Sequence, residues 1–344
     1  MRTIYYTILP LLLLMGCGSS KSSEARYPLR DGDFVIAFGS CNRQTEENYL
    51  WDDVLAFDPN IWIWGGDNIY ADTDDVREMR KDYEEQRWQH GYRDLTKQVE
   101  VIGTWDDHDY GANDAGEEYP MKKESQELFL NFMEVPKNHP RRFREGVYES
   151  YVYPTAEGTV KVIVLDTRYF RSPLTRNLGE SGRKYIPNNN SEGTILGAQQ
   201  WLWFTEQLKD SEADFNIIVS SIQVLSNKHG FETWGNFPNE VKRLFDLIAE
   251  SQAKGVILLS GDRHISEFSQ INIPGVNYPL IDFTSSGLTH TYTEFEEEEN
   301  PYRIGRVVKN KSFGLLKLNF RSKTATMEMI GNNKQVYQEY KQAY

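Results

Sequence analysis

Five times along this chain, a short apolar run rich in β-branched or aromatic residues feeds directly into polar residues able to bind metal. Phe34–Phe38 leads into Gly39-Ser40-Cys41-Asn42, and Ile61–Trp64 into Gly65-Gly66-Asp67-Asn68-Ile69-Tyr70. Val99–Trp105 leads into Asp106-Asp107-His108-Asp109, Val160–Leu165 into Asp166-Thr167-Arg168, and Val256–Leu259 into Ser260-Gly261-Asp262-Arg263-His264. Runs of this length read as buried strands. Helical patterns lie between them, at Glu46–Phe57, Asp75–Gln98, Lys123–Glu134, Gly197–Lys209 and Asn239–Glu250, with a further strand at Phe215–Ser220. Alternating strands and helices predict an α/β fold. In open α/β sheets, ligands bind outside the carboxyl ends of the strands. The five clusters, distant in sequence, are therefore expected to converge on one rim. Gly314–Asn319, Thr324–Ile330 and Val336–Tyr340 alternate like antiparallel strands, and residues 171–195 form a long polar loop of the kind that serves as a lid or binding segment.

The clusters offer Asp67, Asp106, Asp107, Asp262 and His264, the ligand types that hard and borderline cations take. A two-metal site holds the attacking and leaving oxygens of an in-line phosphoryl displacement and lowers the pKa of bound water. A purely structural reading competes with this, because Asp after Gly also shapes turns. Three carboxylates around one His, straight after an apolar strand, are however costly unless cations are present. The lone thiol of Cys41 stands open between buried, reactive and metal-bound. Arg168 either grips an anion, as a fixed guanidinium does well, or pairs with Asp166. His229, Gln223 and His290 lie outside the clusters as further candidates for lining a pocket.

The formal net charge of −13 argues against a basic nucleic-acid groove, so no nucleic-acid partner is expected. The chain opens with Arg2, an apolar run from Ile4 to Met15, and Leu14-Met15-Gly16-Cys17. The run is shorter than the roughly 20 residues a membrane-spanning helix needs. It resembles a bacterial lipobox, in which Cys17 is acylated. This implies a signal peptide over 1–16, a flexible tether over 17–32 and one domain over 33–344. The expected product is an exported monomer, held to the membrane by a lipid anchor and facing the periplasm or cell surface.

Gly66-Asp67-x-x-Tyr70, Trp105-Asp106-Asp107-His108-Asp109 and Gly261-Asp262-x-His264, in that order and with Gly39-Ser40-Cys41, resemble the alkaline phosphatase D (PhoD-like) branch of the calcineurin-like metallophosphoesterases. The resemblance runs from about Phe34 to about Leu288. It implies a four-layer α/β sandwich with two mixed sheets and a metal-dependent hydrolase of phosphate monoesters or diesters, with Fe3+ and Ca2+ as cofactors and Zn2+ or Mn2+ as other options. Asp67 would bridge two metals. Cys41, Tyr70 and His264 would bind the iron, while Asp107, Asp262 and Asn113 would bind the second metal. His108 would face the phosphate, Asp109 would orient that imidazole, and Arg168 would clamp the phosphate oxygens. Asp262 stands where many relatives carry His, which makes the second site harder and more calcium-like. Asp109 replaces the commoner Glu, and the N-terminal β-domain of many relatives finds no room before the first motif. The alternatives are a diesterase for phospholipid or teichoic-acid-like polymers, or a phosphate-binding lipoprotein without catalysis. The region after His290 carries no legible motif.

Overall fold

The computed structural model describes residues 32–179, 183–188, 192–295 and 298–344. The lipobox and Cys17 lie outside these residues. The strands are β1 (Phe34–Gly39), β2 (Ile61–Gly65), β3 (Glu100–Thr104), β4 (Glu149–Pro154), β5 (Thr159–Val164), β6 (Phe215–Val219), β7 (Val256–Ser260), β8 (Ser266–Ile271), β9 (Leu280–Ser285), β10 (Arg303–Val308), β11 (Phe313–Asn319), β12 (Thr324–Gly331) and β13 (Gln335–Ala343). The helices are α1 (Trp51–Ala56), α2 (Val76–Trp88), α3 (His90–Gln98), α4 (Asp107–Tyr110), α5 (Lys122–Phe132), α6 (Gly197–Lys209) and α7 (Pro238–Ser251).

One sheet has the order β13-β12-β11-β1-β2-β3 and the other β10-β8-β9-β7-β6-β5-β4. Both are mixed: β1, β2 and β3 run parallel, as do β5, β6, β7 and β9, and the flanking strands pair antiparallel. The inner faces share an apolar core that includes Phe38, Ile63, Val162, Ile217, Ile257 and Phe283. Trp51, Trp62, Trp64 and Tyr92 fill the outer face of the first sheet with edge-to-face and tilted ring contacts. Trp201, Phe204 and Leu244 fill that of the second, beneath α6 and α7. The result is helix, sheet, sheet, helix: the four-layer sandwich with two mixed sheets. Trp203, on the same helix as Trp201, is only half-buried, its ring tilted against that of Tyr148 with centroids 4.6 Å apart.

Two helical stretches and four strands differ from the sequence reading for local reasons. The helix expected over Glu46–Phe57 begins only at Trp51, because Asn48 turns its side chain onto the backbone N–H of Leu50 and onto Asn42. The stretch Asp75–Gln98 breaks at Gln89, whose extended backbone (ψ 132°) separates α2 from α3 and whose amide donates to the carbonyls of Gln44 and Glu46. Strands β4, β8, β9 and β10 were not expected. Their polar residues hide the apolar alternation, as with the buried Asp282 in β9, which accepts from Val224 N, Leu225 N and Ser260 Oγ.

Because the core is continuous between the sheets, a hole in it should weaken the whole molecule. Ile257→Ala, at a fully buried position of β7, is expected to cost roughly 2–5 kcal/mol of unfolding free energy, read from denaturant midpoints.

Candidate metal centre

The parallel strands of both sheets end at one rim. Backbones approach so closely there that a Cβ on Gly261 would lie 2.6 Å from Ser40 Oγ and 2.7 Å from the Gly65 carbonyl. Just beyond the strand ends the chain turns sharply through left-handed conformations at Cys41 (φ 59°), Asp67 (φ 50°), Asp72 (φ 44°), Asp114 (φ 55°), Asp262 (φ 70°) and His264 (φ 54°). Such geometry is sparsely populated by non-glycine residues and concentrates at functional sites. Here it aims side chains from four segments at one point.

Cys41 Sγ lies 3.3 Å from Asp67 Oδ2, and the Tyr70 hydroxyl lies 3.1 Å from both Asp67 Oδ2 and His264 Nε2. The donor atoms of Cys41, Asp67 and His264 all fall within 4.8 Å of one another. A second group adjoins this one and shares Asp67. Asp67, Asp107 and His108 form one cluster, Asp106, Asp107 and Asp262 another, and Asp107, Asp114 and Glu232 a third. The amide of Asn113 donates to Asp107 Oδ2 at 3.3 Å. The rim thus brings together all seven residues expected as metal ligands.

Electrostatics say what this clustering costs. Burial and the charges of Cys41, Asp107 and Asp106 push the Asp67 carboxyl well above its usual range. Burial also raises Asp262 to about 7, with Arg263 opposing. Burial lifts the Cys41 thiol to about 11, although a hydrogen bond with Ser286 Oγ at 3.0 Å opposes it. Asp107 is the exception: Arg168 and His108 overcome its burial and hold it at about 2. Oδ1 of Asp67, Oδ2 of Asp106 and Oδ1 of Asp107 are buried with no hydrogen-bond partner. Buried carboxylate oxygens left bare are rare in native proteins, except where an ion completes them. The residues therefore fit metal ions. A thiol, a phenol, an imidazole and a carboxylate suit a transition metal, and the neighbouring all-oxygen set suits a hard cation.

Two expected roles do not match the geometry. Asp109 does not touch the imidazole of His108. Its carboxylate accepts from Asp106 N at 2.6 Å and from Asn68, closing a capping box at the start of α4. The carboxylate that holds His108 is Asp72, with both oxygens 2.8 Å from Nδ1. Burial lowers the basicity of His108, but Asp67, Asp72 and Asp107 outweigh it and raise its pKa to about 10. The ring also stacks on Tyr70 at 4.1 Å. Arg168 is fully buried and does not face solvent. Its Nε donates to Asp106 Oδ1 at 2.5 Å and its Nη1 to Glu232 Oε2 at 2.6 Å, so the guanidinium fixes carboxylates and is not open to a phosphate. Asp166 instead shapes the turn, accepting from Trp105 Nε1 and from the backbone of Arg168 and Tyr169.

Gln223 is likewise spent inside the fold, donating to Glu267 and Thr284. His290 lies on the rim, its ring 4.6 Å from that of His264 and 4.9 Å from that of Tyr70. Sequence reasoning missed Asp72, Asp114, Glu232 and Ser286. Asp72 follows the second motif by only two residues, and that spacing was its one available signal. In the described part of the 171–195 loop, Lys184 and Tyr185 both bind the Asp114 carboxylate.

Removing Arg168 strands two buried carboxylates. Arg168→Gln is expected to lower the unfolding free energy by roughly 3–5 kcal/mol, measured in denaturant. A residue that only gripped substrate would leave stability untouched. Asp72→Asn is expected to lower the His108 pKa in metal-free protein, followed by NMR, because the imidazolium loses its paired anion.

A model of the PhoD-like phosphatase family matches residues 36–329. Alkaline phosphatase D of Bacillus subtilis (strain 168) is 22% identical over 246 residues, covering 65% of this chain and 42% of that protein. The chain thus spans under half the length of this curated relative. Among solved structures, one of PhoD superposes with a TM-score of 0.71 at 15% identity, covering 91% of this chain and 68% of that one. A dimetal phosphatase from Danio rerio superposes with a TM-score of 0.53 at 13% identity, covering 91% of this chain and 100% of that one. The two superpositions show a shared fold.

Proposed function

We propose that this chain, which belongs to the PhoD-like phosphatase family, hydrolyses phosphate esters at a mixed metal centre on the strand-end rim. The observation that carries the reading is the gathering of Cys41, Asp67, Tyr70 and His264 donors beside bare, buried carboxylate oxygens of Asp106 and Asp107. A ferric ion is the proposed occupant of the Cys41–Asp67–Tyr70–His264 set, since thiolate and phenolate together suit it. Calcium is the proposed occupant of the oxygen set of Asp67, Asp107, Asn113 and Asp262. When bound, such ions polarise phosphoryl oxygens and make water more acidic.

The protein's own groups supply the rest. His108 sits at the edge of the centre, with Nδ1 engaged by Asp72, which leaves Nε2 to hand a proton to the departing alcohol oxygen. The Asp72 contact orients the ring for that transfer, and Asp67, Asp72 and Asp107 together favour its protonated form. Arg168 and Glu232 act one layer behind, holding Asp106 in place. The apolar strands beneath the rim exclude water from the buried face of the carboxylates.

Export and anchoring through Cys17 belong to the same proposal, supported by Leu14-Met15-Gly16-Cys17 behind an apolar run. Among the described residues, no helix is long and apolar enough to cross a membrane.

The test compares hydrolysis of 4-nitrophenyl phosphate and bis(4-nitrophenyl) phosphate by untreated, chelated and metal-restored protein. Chelation and Asp67→Asn should each bring turnover to background, and restoration with iron and calcium should recover only the chelated sample. His108→Ala should lower kcat by roughly 10²–10⁴-fold with a smaller change in KM. Turnover that survives exhaustive chelation would overturn the proposal.

A further inference from the structure

Ser286 stands just past the end of β9, on the same rim as the metal ligands, and is buried. β9 pairs in parallel with β7, and Asp262 and His264 follow the end of β7. The turn after Ser286 lies against the turn that carries Cys41. Gly287 N and Leu288 N donate to the Ser40 carbonyl at 3.1 and 3.2 Å, and Thr289 N donates to that of Cys41 at 3.3 Å. Ser286 is therefore fixed between two segments that bring ligands to one point, the Cys41 turn after β1 and the His264 turn after β7. Both ligands sit in left-handed backbone (φ 59° and 54°), which persists only where the surroundings enforce it.

The Ser286 hydroxyl touches both ligands. The backbone N–H of His264 donates to Ser286 Oγ at 2.7 Å, and that oxygen lies 3.0 Å from Cys41 Sγ. A hydroxyl has one proton and two lone pairs. His264 N–H takes a lone pair and leaves the proton for another acceptor. Among the described residues, Cys41 Sγ is the one further partner of this hydroxyl. A sulfur that coordinates a metal is a thiolate, with no proton to give. With an ion in place, the bond can run only from Ser286 O–H to the sulfur. Asp67 Oδ2, 3.3 Å from the sulfur, and the Tyr70 hydroxyl beside it give up their own protons as ligands. The Asp262 carbonyl, at 3.6 Å, is an acceptor. Ser40 Oγ is 3.8 Å away and donates to the Ser285 carbonyl at 3.1 Å. Ser286 is thus the near donor to this sulfur.

We propose that Ser286 tunes the metal centre through Cys41: its proton draws charge off the coordinated thiolate, while its oxygen fixes the main chain of His264, a second ligand of the same ion. Ser286 is a positioning residue and does not touch substrate. The inference rests on the proposed metal centre and deepens it. Thiolate is the softest and most strongly donating member of the Cys41–Asp67–Tyr70–His264 set. Donation left unopposed weakens an ion as a Lewis acid. A proton held on the sulfur limits that donation and keeps the site electron-poor. Hydrogen bonds to coordinated sulfur shift reduction potentials for the same reason.

The test loads cobalt(II) into chelated protein. A sulfur-to-cobalt charge-transfer band reports the bond whatever the native ion, and whether or not any ester is hydrolysed. The band should move to lower energy in Ser286→Ala, where the sulfur electrons are held less tightly. It should return to the wild-type position in Ser286→Thr, which keeps the hydroxyl. Cobalt bound per chain, by elemental mass spectrometry, should be equal in all three. With iron, Ser286→Ala should favour the ferric form about tenfold, a one-electron potential lower by about 59 mV. A band that stays in place in Ser286→Ala overturns the role of Ser286 and leaves Cys41 as a ligand. No sulfur-to-cobalt band in wild type overturns both. A second measurement needs no variant. In iron-loaded wild type, the iron–sulfur stretch in resonance Raman should shift once the protein is exchanged into D2O, because the bonded proton becomes a deuteron. A stretch indifferent to exchange overturns the hydrogen bond. These shifts without turnover of any ester leave the role of Ser286 standing and remove only the hydrolytic reading.

Discussion

Carboxylate repulsion governs the rim of this protein. Asp67, Asp106, Asp107 and Asp262 are all buried and lie close enough for each to raise or lower the proton affinity of the others. Arg168 and Arg263 supply fixed positive charge, yet three carboxylate oxygens still face no donor. In a medium of low effective dielectric, such an array is stable only if protons or cations neutralise it. Cations are what give the array a chemical purpose, and much of the surrounding architecture exists to hold it in place against its own repulsion.

That holding is done in layers. The sandwich core provides a stiff base, and the parallel strands present their ends at one edge. Left-handed turns at Cys41, Asp67, Asp262 and His264 then aim the ligands inward. Behind them, Arg168 links Asp106 to Glu232, and Arg171 lies 2.9 Å from the other Glu232 oxygen. Such second-layer contacts fix the direction from which a carboxylate presents its oxygens. On the open side, Asp72 holds His108, and the Tyr70 ring stacks against it.

Much of this was legible in the sequence because strand ends are marked twice, by an apolar run and by the Gly or Asp that follows. The ligand candidates Asp67, Asp107, Asp262 and His264 were found in that way, Cys41 and Tyr70 came from the family resemblance, and the structure gathers all six. What failed was the assignment of partners across space. Asp109 is one residue from His108 in sequence, but a single helical turn sends its carboxylate back to the Asp106 N–H. Arg168 was expected to clamp phosphate from the resemblance, with Asp166 as its competing partner, yet the fold pairs it with Asp106 and Glu232, both distant in the chain. Strands β8 and β9 escaped because their buried polar residues, Glu267 and Asp282 among them, are satisfied by partners that no periodicity reveals. Local patterns carried the elements and the motifs, while the second layer depended on tertiary contacts.

The account turns on two kinds of cation in one buried array, and elemental mass spectrometry of the purified soluble chain, truncated to remove Cys17, tests that most directly. The account predicts iron near one atom per chain with calcium alongside, and a visible charge-transfer band that weakens in Tyr70→Phe. Two zinc or manganese ions with no iron would contradict the roles given to Cys41 and Tyr70. No stoichiometric metal, even after reconstitution, would contradict the whole account.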